Sequence, residues 1–245
     1  MDCLWKSTRN KMKHIFRFKQ FEIDQTGCAM RINTDGVLLG TMAKHPDPQR
    51  ILDIGTGTGV IALMLAQRFP KAQVHAVEID EQASITAGRN FENSVFNRQL
   101  SVHHMPIEQY NNSDQFDLIV SNPPFFVNDL KNAEKKKEMA RHASDTFFND
   151  LIEKVAALLS PEGCFWVVLP VKQAQDLVEK AKMKGLFLTH LVKLHSDITK
   201  PEFRRIVCLE REKSSLAEKD FMIYESEKKY TKAYELLLKD FFLAY

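Results

Sequence analysis

Ile51-Leu52-Asp53-Ile54-Gly55-Thr56-Gly57-Thr58-Gly59 joins a short β-branched run to a turn punctuated by three alternating glycines. Val60 to Phe69 then continues as an apolar helical stretch. Outward from this junction the alternation persists. Gln73 to Glu78 reads as a strand and Glu81 to Val95 as a helix, followed by strands at Leu100 to His103 and Phe116 to Ser121. A helical face at Leu151 to Leu159 and a continuous apolar run at Cys164 to Leu169 complete the series. Strands alternating with helices predict a parallel sheet covered on both faces and joined by right-handed crossovers.

The last third departs from that rhythm. Leu186 to Leu194 and Ile206 to Leu209 have strand character, and the polar segment His195 to Arg204 between them, which carries Pro201, leaves no room for a crossover helix. Neighbours joined this way pair antiparallel. The expected fold is therefore α/β and Rossmann-like, a mostly parallel seven-stranded sheet ending in an antiparallel pair. Ahead of it, Phe18 to Asn33 alternates around Thr26-Gly27, which predicts a β-hairpin. Thr34-Asp35-Gly36 opens a short helix ending before Pro46, and Tyr230 to Phe242 reads as an amphipathic helix. These signals divide the chain into a basic, unstructured N-terminus (1–13) and one domain (14–245). Within the domain lie the hairpin and helix (14–48), the core (49–212) and a C-terminal extension (213–245).

Composition narrows the class. The chain has 245 residues, 44% hydrophobic and 27% charged, as a globular domain should. Its 34 Lys and Arg against 32 Asp and Glu leave a net charge of +2, so any surface for a polyanion must be local. No apolar run is long enough for a membrane span, and the basic start lacks the apolar core of a signal peptide. Cys3, Cys28, Cys164 and Cys208 lie far apart with no CxxC pair, which argues against a disulfide framework or a thiolate metal site. A cytoplasmic protein without a metal is expected; the oligomeric state is open, with a monomer the simplest case.

Glycines at a strand-to-helix turn permit positive φ and close approach of a ligand to the backbone. A dinucleotide fingerprint would need glycine where Val60 stands, and there is no Walker lysine. Asp53 beside the loop disfavours a pyrophosphate and suits a cationic ligand. Glu78, at the end of the second strand, can accept both hydroxyls of a ribose. Asp53, Gly55, Gly57, Gly59 and Glu78 together describe a pocket for a positively charged nucleoside bearing an amino acid, a description that S-adenosylmethionine fits. These residues resemble the E/DxGxGxG loop and the ribose-binding acid of class I S-adenosylmethionine-dependent methyltransferases. His104-Met105-Pro106-Ile107 stands where many members carry an acid or amide for the adenine amino group, so adenine contacts there are expected from backbone and apolar groups.

Ser121-Asn122-Pro123-Pro124-Phe125-Phe126 follows the fourth parallel strand, at the edge where such sheets bind ligands. An exocyclic aromatic amine is a poor nucleophile because its lone pair is delocalised into the ring. If the Asn122 side-chain oxygen and the Pro123 carbonyl accept its two hydrogens, the nitrogen is drawn towards tetrahedral geometry. Phe125 offers a face on which the base stacks. The remaining task is orientation, which needs neither a metal nor a strong base. An Asn-Pro-Pro-aromatic motif is similar to that of the amino-methyltransferases, which act on adenine, guanine or a glutamine amide; Phe125 stands where Tyr is usual.

The flanks are more specific. Phe16 to Phe21, Ile32-Asn33-Thr34-Asp35-Gly36-Val37-Leu38-Leu39-Gly40, Arg141-His142 and the closing Tyr230 to Phe242 segment resemble the bacterial tRNA(Val) adenine-37 N6-methyltransferases. The resemblance covers residues 14 to the end and implies a tRNA partner. In that family the TDGVLLG stretch lies over the cofactor pocket, which makes Asp35 either a cofactor contact or a helix cap. Lys135, Lys136, Arg141 and Arg204 are candidate RNA contacts by charge, and His142 either anchors its loop or touches substrate. An unpaired base splayed from a stem-loop suits a stacking slot with a basic rim, although residue types alone do not separate RNA from DNA. Two alternatives stay open: methylation of release-factor glutamine or ribosomal guanine, and an RNA-binding module without activity.

Overall fold

The continuous apolar runs at Ile51, Phe116 and Cys164 become the inner strands of one sheet, because strands buried on both faces need no polar alternation. The structure, a computed structural model, describes residues 14–28, 30–124 and 135–245, the last segment without the side chains of 135–145. The expected lack of structure in 1–13 and the stacking face at Phe125 lie outside the described residues. The central sheet has eight strands in the order β10-β8-β9-β7-β6-β3-β4-β5. These are β3 (Arg50–Ile54), β4 (Gln73–Glu78), β5 (Leu100–His104), β6 (Phe116–Ser121), β7 (Leu159–Leu169), β8 (Phe187–His195), β9 (Glu202–Glu210) and β10 (Ala217–Met222). β3 to β7 are mutually parallel where they pair, and β9 runs antiparallel between β7 and β8.

Alternate side chains of each inner strand serve different layers. Ile51 joins the core beneath α1 (Thr34–Met42), α2 (Val60–Arg68) and α3 (Glu81–Glu92). Leu52 and Ile54 join the core beneath α4 (Lys135–Leu158) and α5 (Val171–Met183). A short helix, α6 (Lys232–Leu238), closes the chain on the α1–α3 side, capped by the Thr231 hydroxyl accepting from Tyr234 N.

Three features differ from the sequence expectation. The sheet carries an eighth strand beyond the seven expected. β10 lies at the edge, parallel to β8, and most of Ala-Glu-Lys-Asp-Phe-Met is exposed, so it has no apolar run to announce it. The N-terminal hairpin turns at Phe18 to Phe21, not at Thr26-Gly27. β1 (Ile15–Arg17) pairs with β2 (Glu22–Asp24), Phe18 N donates to Phe21 O, and the two rings stack at 4.5 Å. Thr26-Gly27 instead forms a separate turn fastened by Asp24 Oδ1, which accepts from Thr26 N. The helix expected at Leu151 begins far earlier, at Lys135, through a charged stretch without apolar periodicity.

Candidate active site

The carboxyl ends of β3, β4 and β6 open together, and hydrogen bonds hold them in register. Gly55 N and Thr56 N both donate to Val77 O, and the Ser121 hydroxyl donates to Ile54 O at 2.9 Å. Between them lies a cavity of about 330 Å³, walled by Gly55, Gly57, Glu78, Asn122 and Pro123 among others. That is the size of a small-molecule site at the position where open α/β sheets bind their ligands.

The glycines divide into two roles. Gly55 and Gly57 have φ of +72° and +58°, and a Cβ on either would meet nothing within 4 Å, so both leave open space on the cavity side. Gly59, at φ +84°, opens α2, and a Cβ there would stand 2.5 Å from the Phe91 ring. Its bareness serves packing. Glu78 is buried at the cavity wall, where Oε2 accepts from Gly57 N at 2.8 Å and Oε1 from Asp80 N at 2.9 Å. The loop and the acid thus hold each other, and each carboxylate oxygen keeps a further lone pair for a ligand hydroxyl.

Asp53 lies behind the loop, fully buried and outside the cavity lining. Its Oδ2 accepts from the Thr56 hydroxyl at 2.6 Å, while Oδ1 is buried without a hydrogen-bond partner. Burial, helped by the negative charge of Glu78, pushes its carboxyl up to about 7. Asp35 is also buried and outside the lining. It pairs with Arg204, Nε to Oδ2 at 2.9 Å, which ties α1 to β9. Two sequence candidates, one expected on cofactor and one on RNA, therefore meet each other. The side chains of Lys135, Lys136, Arg141 and His142 are not described, although all four residues belong to α4.

Asn122 is half-buried and Pro123 buried, immediately beyond β6 on the cavity wall. The Asn122 amide nitrogen donates to Asn33 Oδ1 over 3.5 Å. Sequence reasoning passed over Asn33, whose signal was its place before Thr34 as a helix N-cap. It also passed over Asn90, which bridges the glycine loop and the hairpin. Its Nδ2 donates to Thr58 O at 2.8 Å and to Asp24 O at 3.0 Å, and its Oδ1 accepts from Asp24 N. The rest of the lining is largely apolar, including Ile79, Met105, Pro106 and Ile107. Met105, Pro106 and Ile107 form an apolar slot, and Glu108, one residue beyond the stretch read from the sequence, brings a carboxylate to the same lining.

The residues present fit S-adenosylmethionine. An open glycine cradle suits an amino-acid tail, Glu78 a ribose, and the apolar slot a flat purine. Among the described residues, one trio of metal-ligand type, His190, Cys208 and Glu210, brings its donor atoms within 4.8 Å on β8 and β9, outside this cavity. Burial pushes the Cys208 thiol up and keeps it protonated. No helix among the described residues is long and apolar enough to cross a membrane.

Residues 33–194 match the methyltransferase small domain family. The tRNA1(Val) (adenine(37)-N6)-methyltransferase of Pedobacter heparinus is 58% identical over 234 residues, covering 96% of this chain and 100% of its own length. The enzyme of the same name from Trichodesmium erythraeum is 42% identical, covering 94% of this chain and 98% of its own length. Among solved structures, a predicted O-methyltransferase from Agrobacterium tumefaciens superimposes with a TM-score of 0.67 at 16% identity, over 84% of this chain and 96% of that one, a likeness of fold alone. With two thirds of its length inside the family match and nearly all of it aligned to such relatives, the chain belongs to the tRNA1(Val) (adenine(37)-N6)-methyltransferases of the methyltransferase small domain family.

Proposed function

We infer that this protein transfers a methyl group from S-adenosylmethionine to the N6 amine of adenine-37 in tRNA1(Val), in the cytoplasm where that RNA is found. The observation that carries this reading is the shared cavity. Asn122 and Pro123 stand on the same walls as Gly55, Gly57 and Glu78, in a chain 58% identical to an enzyme of that name.

Gly55 and Gly57 hold the amino-acid portion of the cofactor, Glu78 its ribose, and the slot of Ile79, Met105, Pro106 and Ile107 its base. When bound there, S-adenosylmethionine supplies a methyl group activated by its sulfonium. Asn122 Oδ1 and the Pro123 carbonyl accept the two hydrogens of the adenine amine and draw its nitrogen out of the ring plane. Phe125 stacks on the base. With the cofactor in place, the amine nitrogen would form its bond to the methyl carbon as the carbon–sulfur bond breaks, its electron pair leaving with sulfur as a neutral thioether, and would give up one proton. Neither an amide nor a carbonyl oxygen is basic enough to keep that proton, so it passes to water. Orientation carries the acceleration, and no general base is needed. Asp53 and Thr56 brace the loop from behind, and the Asp35–Arg204 pair ties α1 to β9.

The test is direct. Radiolabelled S-adenosylmethionine is incubated with a tRNA1(Val) transcript and with the same transcript carrying guanine at position 37, and both are digested to nucleosides. Label in N6-methyladenosine from the first alone supports the reading. Equal label from both transcripts, or label only in guanine, overturns it.

A further inference from the structure

The two ends of the Asn122 amide are chemically opposite, since the oxygen accepts and the nitrogen donates. An aromatic amine offers two donors, so only the oxygen is productive against it. An amide turned by half a rotation would present N–H groups to N–H groups. Any account of Asn122 as an acceptor therefore needs something that fixes which end faces the cavity.

We propose that Asn33, with the bare backbone of Gly36 beside it, is the positioning element that sets the orientation of the Asn122 amide. This rests on the reading of Asn122 as the acceptor for the amine. Asn33 Oδ1 accepts from Gly36 N at 2.8 Å, the N-cap of α1, so the helix end itself dictates where that oxygen points. The same oxygen accepts from Asn122 Nδ2 over 3.5 Å. A flipped Asn122 would set oxygen against oxygen there. The alternative is thus penalised, and Oδ1 is left as the end available to the cavity. Gly36 supplies the space for this approach. A Cβ on it would stand 3.3 Å from Asn122 Nδ2, 3.5 Å from Asn33 Oδ1 and 3.6 Å from Ile61 Cδ1. Gly36 sits in the first turn of α1 without positive φ, so backbone strain does not account for the glycine. What it provides is room for the amide. The chain of constraint runs from the helix cap to the Asn33 oxygen, to the Asn122 nitrogen, and on to the reacting amine.

Substitutions at position 33 separate capping from positioning in the full-length protein. Asn33→Ser retains a capping oxygen but is one atom too short to reach Asn122; Asn33→Asp retains both the cap and the acceptor. The expected result for Asn33→Ser is a fall in kcat of at least about tenfold, with KM for tRNA, Kd for S-adenosylmethionine and Tm nearly unchanged. Asn33→Asp restores kcat. Gly36→Ala gives a Tm equal to or above that of the parent, because alanine is the better helix former, together with a reduced kcat. Wild-type kcat in Asn33→Ser overturns the proposal, whatever Gly36→Ala does. So does a loss of kcat in Asn33→Ser that Asn33→Asp does not restore. Asn122→Ala serves as the reference. If it retains turnover, the acceptor reading itself has failed; if it is inactive while Asn33→Ser is normal, only the positioning role has failed.

Discussion

Asn122 and Asp53 illustrate two opposite uses of a polar side chain in this molecule. Asn122 is half-buried on the cavity wall and Asp53 is entirely enclosed behind it. If Asn122 meets the reacting amine as proposed, Asn122→Ala should lower kcat by about a thousandfold, since Asn122 lines the cavity without a hydrogen bond to the glycine loop among the described contacts. The Kd for S-adenosylmethionine should move by less than about threefold. Rates at saturating tRNA alongside calorimetric cofactor binding check this, and parallel losses would mean that Asn122 shapes the cofactor pocket. Asp53 is a matter of proton linkage. An acid whose carboxyl is pushed up to about 7 by burial and by Glu78 holds its proton more tightly folded than unfolded. The stability this contributes is complete below about pH 4, the ordinary carboxylate range, and is lost as pH rises through about 7. Asp53→Asn keeps an oxygen for the Thr56 hydroxyl and removes the charge. It should stabilise the unliganded protein at pH 8 by on the order of 2 to 4 kcal/mol and flatten the decline in Tm between pH 4 and pH 8. Thermal melts across that range decide, and an unchanged slope would show that Asp53 is ionised at little cost.

The glycine loop makes the same point among elements, where identical residues do different work. Gly59→Ala combines positive-φ strain with a Cβ driven to 2.5 Å from the buried Phe91 ring, so it should cost about 2 to 5 kcal/mol of stability. Gly57→Ala adds only the strain, about 1 to 2 kcal/mol, because its Cβ meets nothing. That Cβ enters the space proposed for the cofactor and should weaken cofactor binding tenfold or more. Paired denaturant melts and cofactor titrations would show the crossing; equal losses of stability would refute the division. The loop was legible in the sequence because three alternating glycines at a strand end are a local signal, as were the apolar runs of β3, β4 and β6. Which glycine packs and which faces the cavity was not, because that depends on Phe91 in α3, 32 positions after Gly59 in the chain. The hairpin turn was misplaced for a similar reason. Thr26-Gly27 carries the stronger local turn signal, yet Phe18 stacks on Phe21 and closes the turn against Phe242 from the far end of the chain. β10 was invisible because an exposed edge strand has little reason to be apolar. In the site, Gly55, Gly57, Glu78 and Asn122 could be picked out by residue type at strand ends, whereas the Asp35–Arg204 pair joins residues 169 positions apart.

Across the whole molecule the two ends of the chain support the site from behind. Phe18 bridges to Phe242, Lys19 N donates to Phe241 O at 2.8 Å, and the Lys19 ammonium donates to the Lys239 and Tyr245 carbonyls. The hairpin held in this way is tied at its other end to the glycine loop, because Asn90 bonds both Asp24 and Thr58. A mechanical path therefore leads from the C-terminal tail through the hairpin to the backbone that walls the cavity. The tail, a short helix and the residues after it, stays in place by burying Leu238 and Phe241 against the core that contains Phe18 and Phe21. Phe241, only 3% exposed, carries much of that burial. Phe241→Ala should cost about 3 to 5 kcal/mol, which for a chain of this size lowers Tm by on the order of 10 °C. If the path is continuous, the loosened hairpin should also relax the loop. Amide exchange at Gly55 to Gly59 would then quicken more than exchange in β8 and β9, which lie on the other side of β7 in the sheet. Faster exchange confined to residues 14–28 and 232–245 would show that the hairpin moves without the loop, and that Asn90 does not transmit the support.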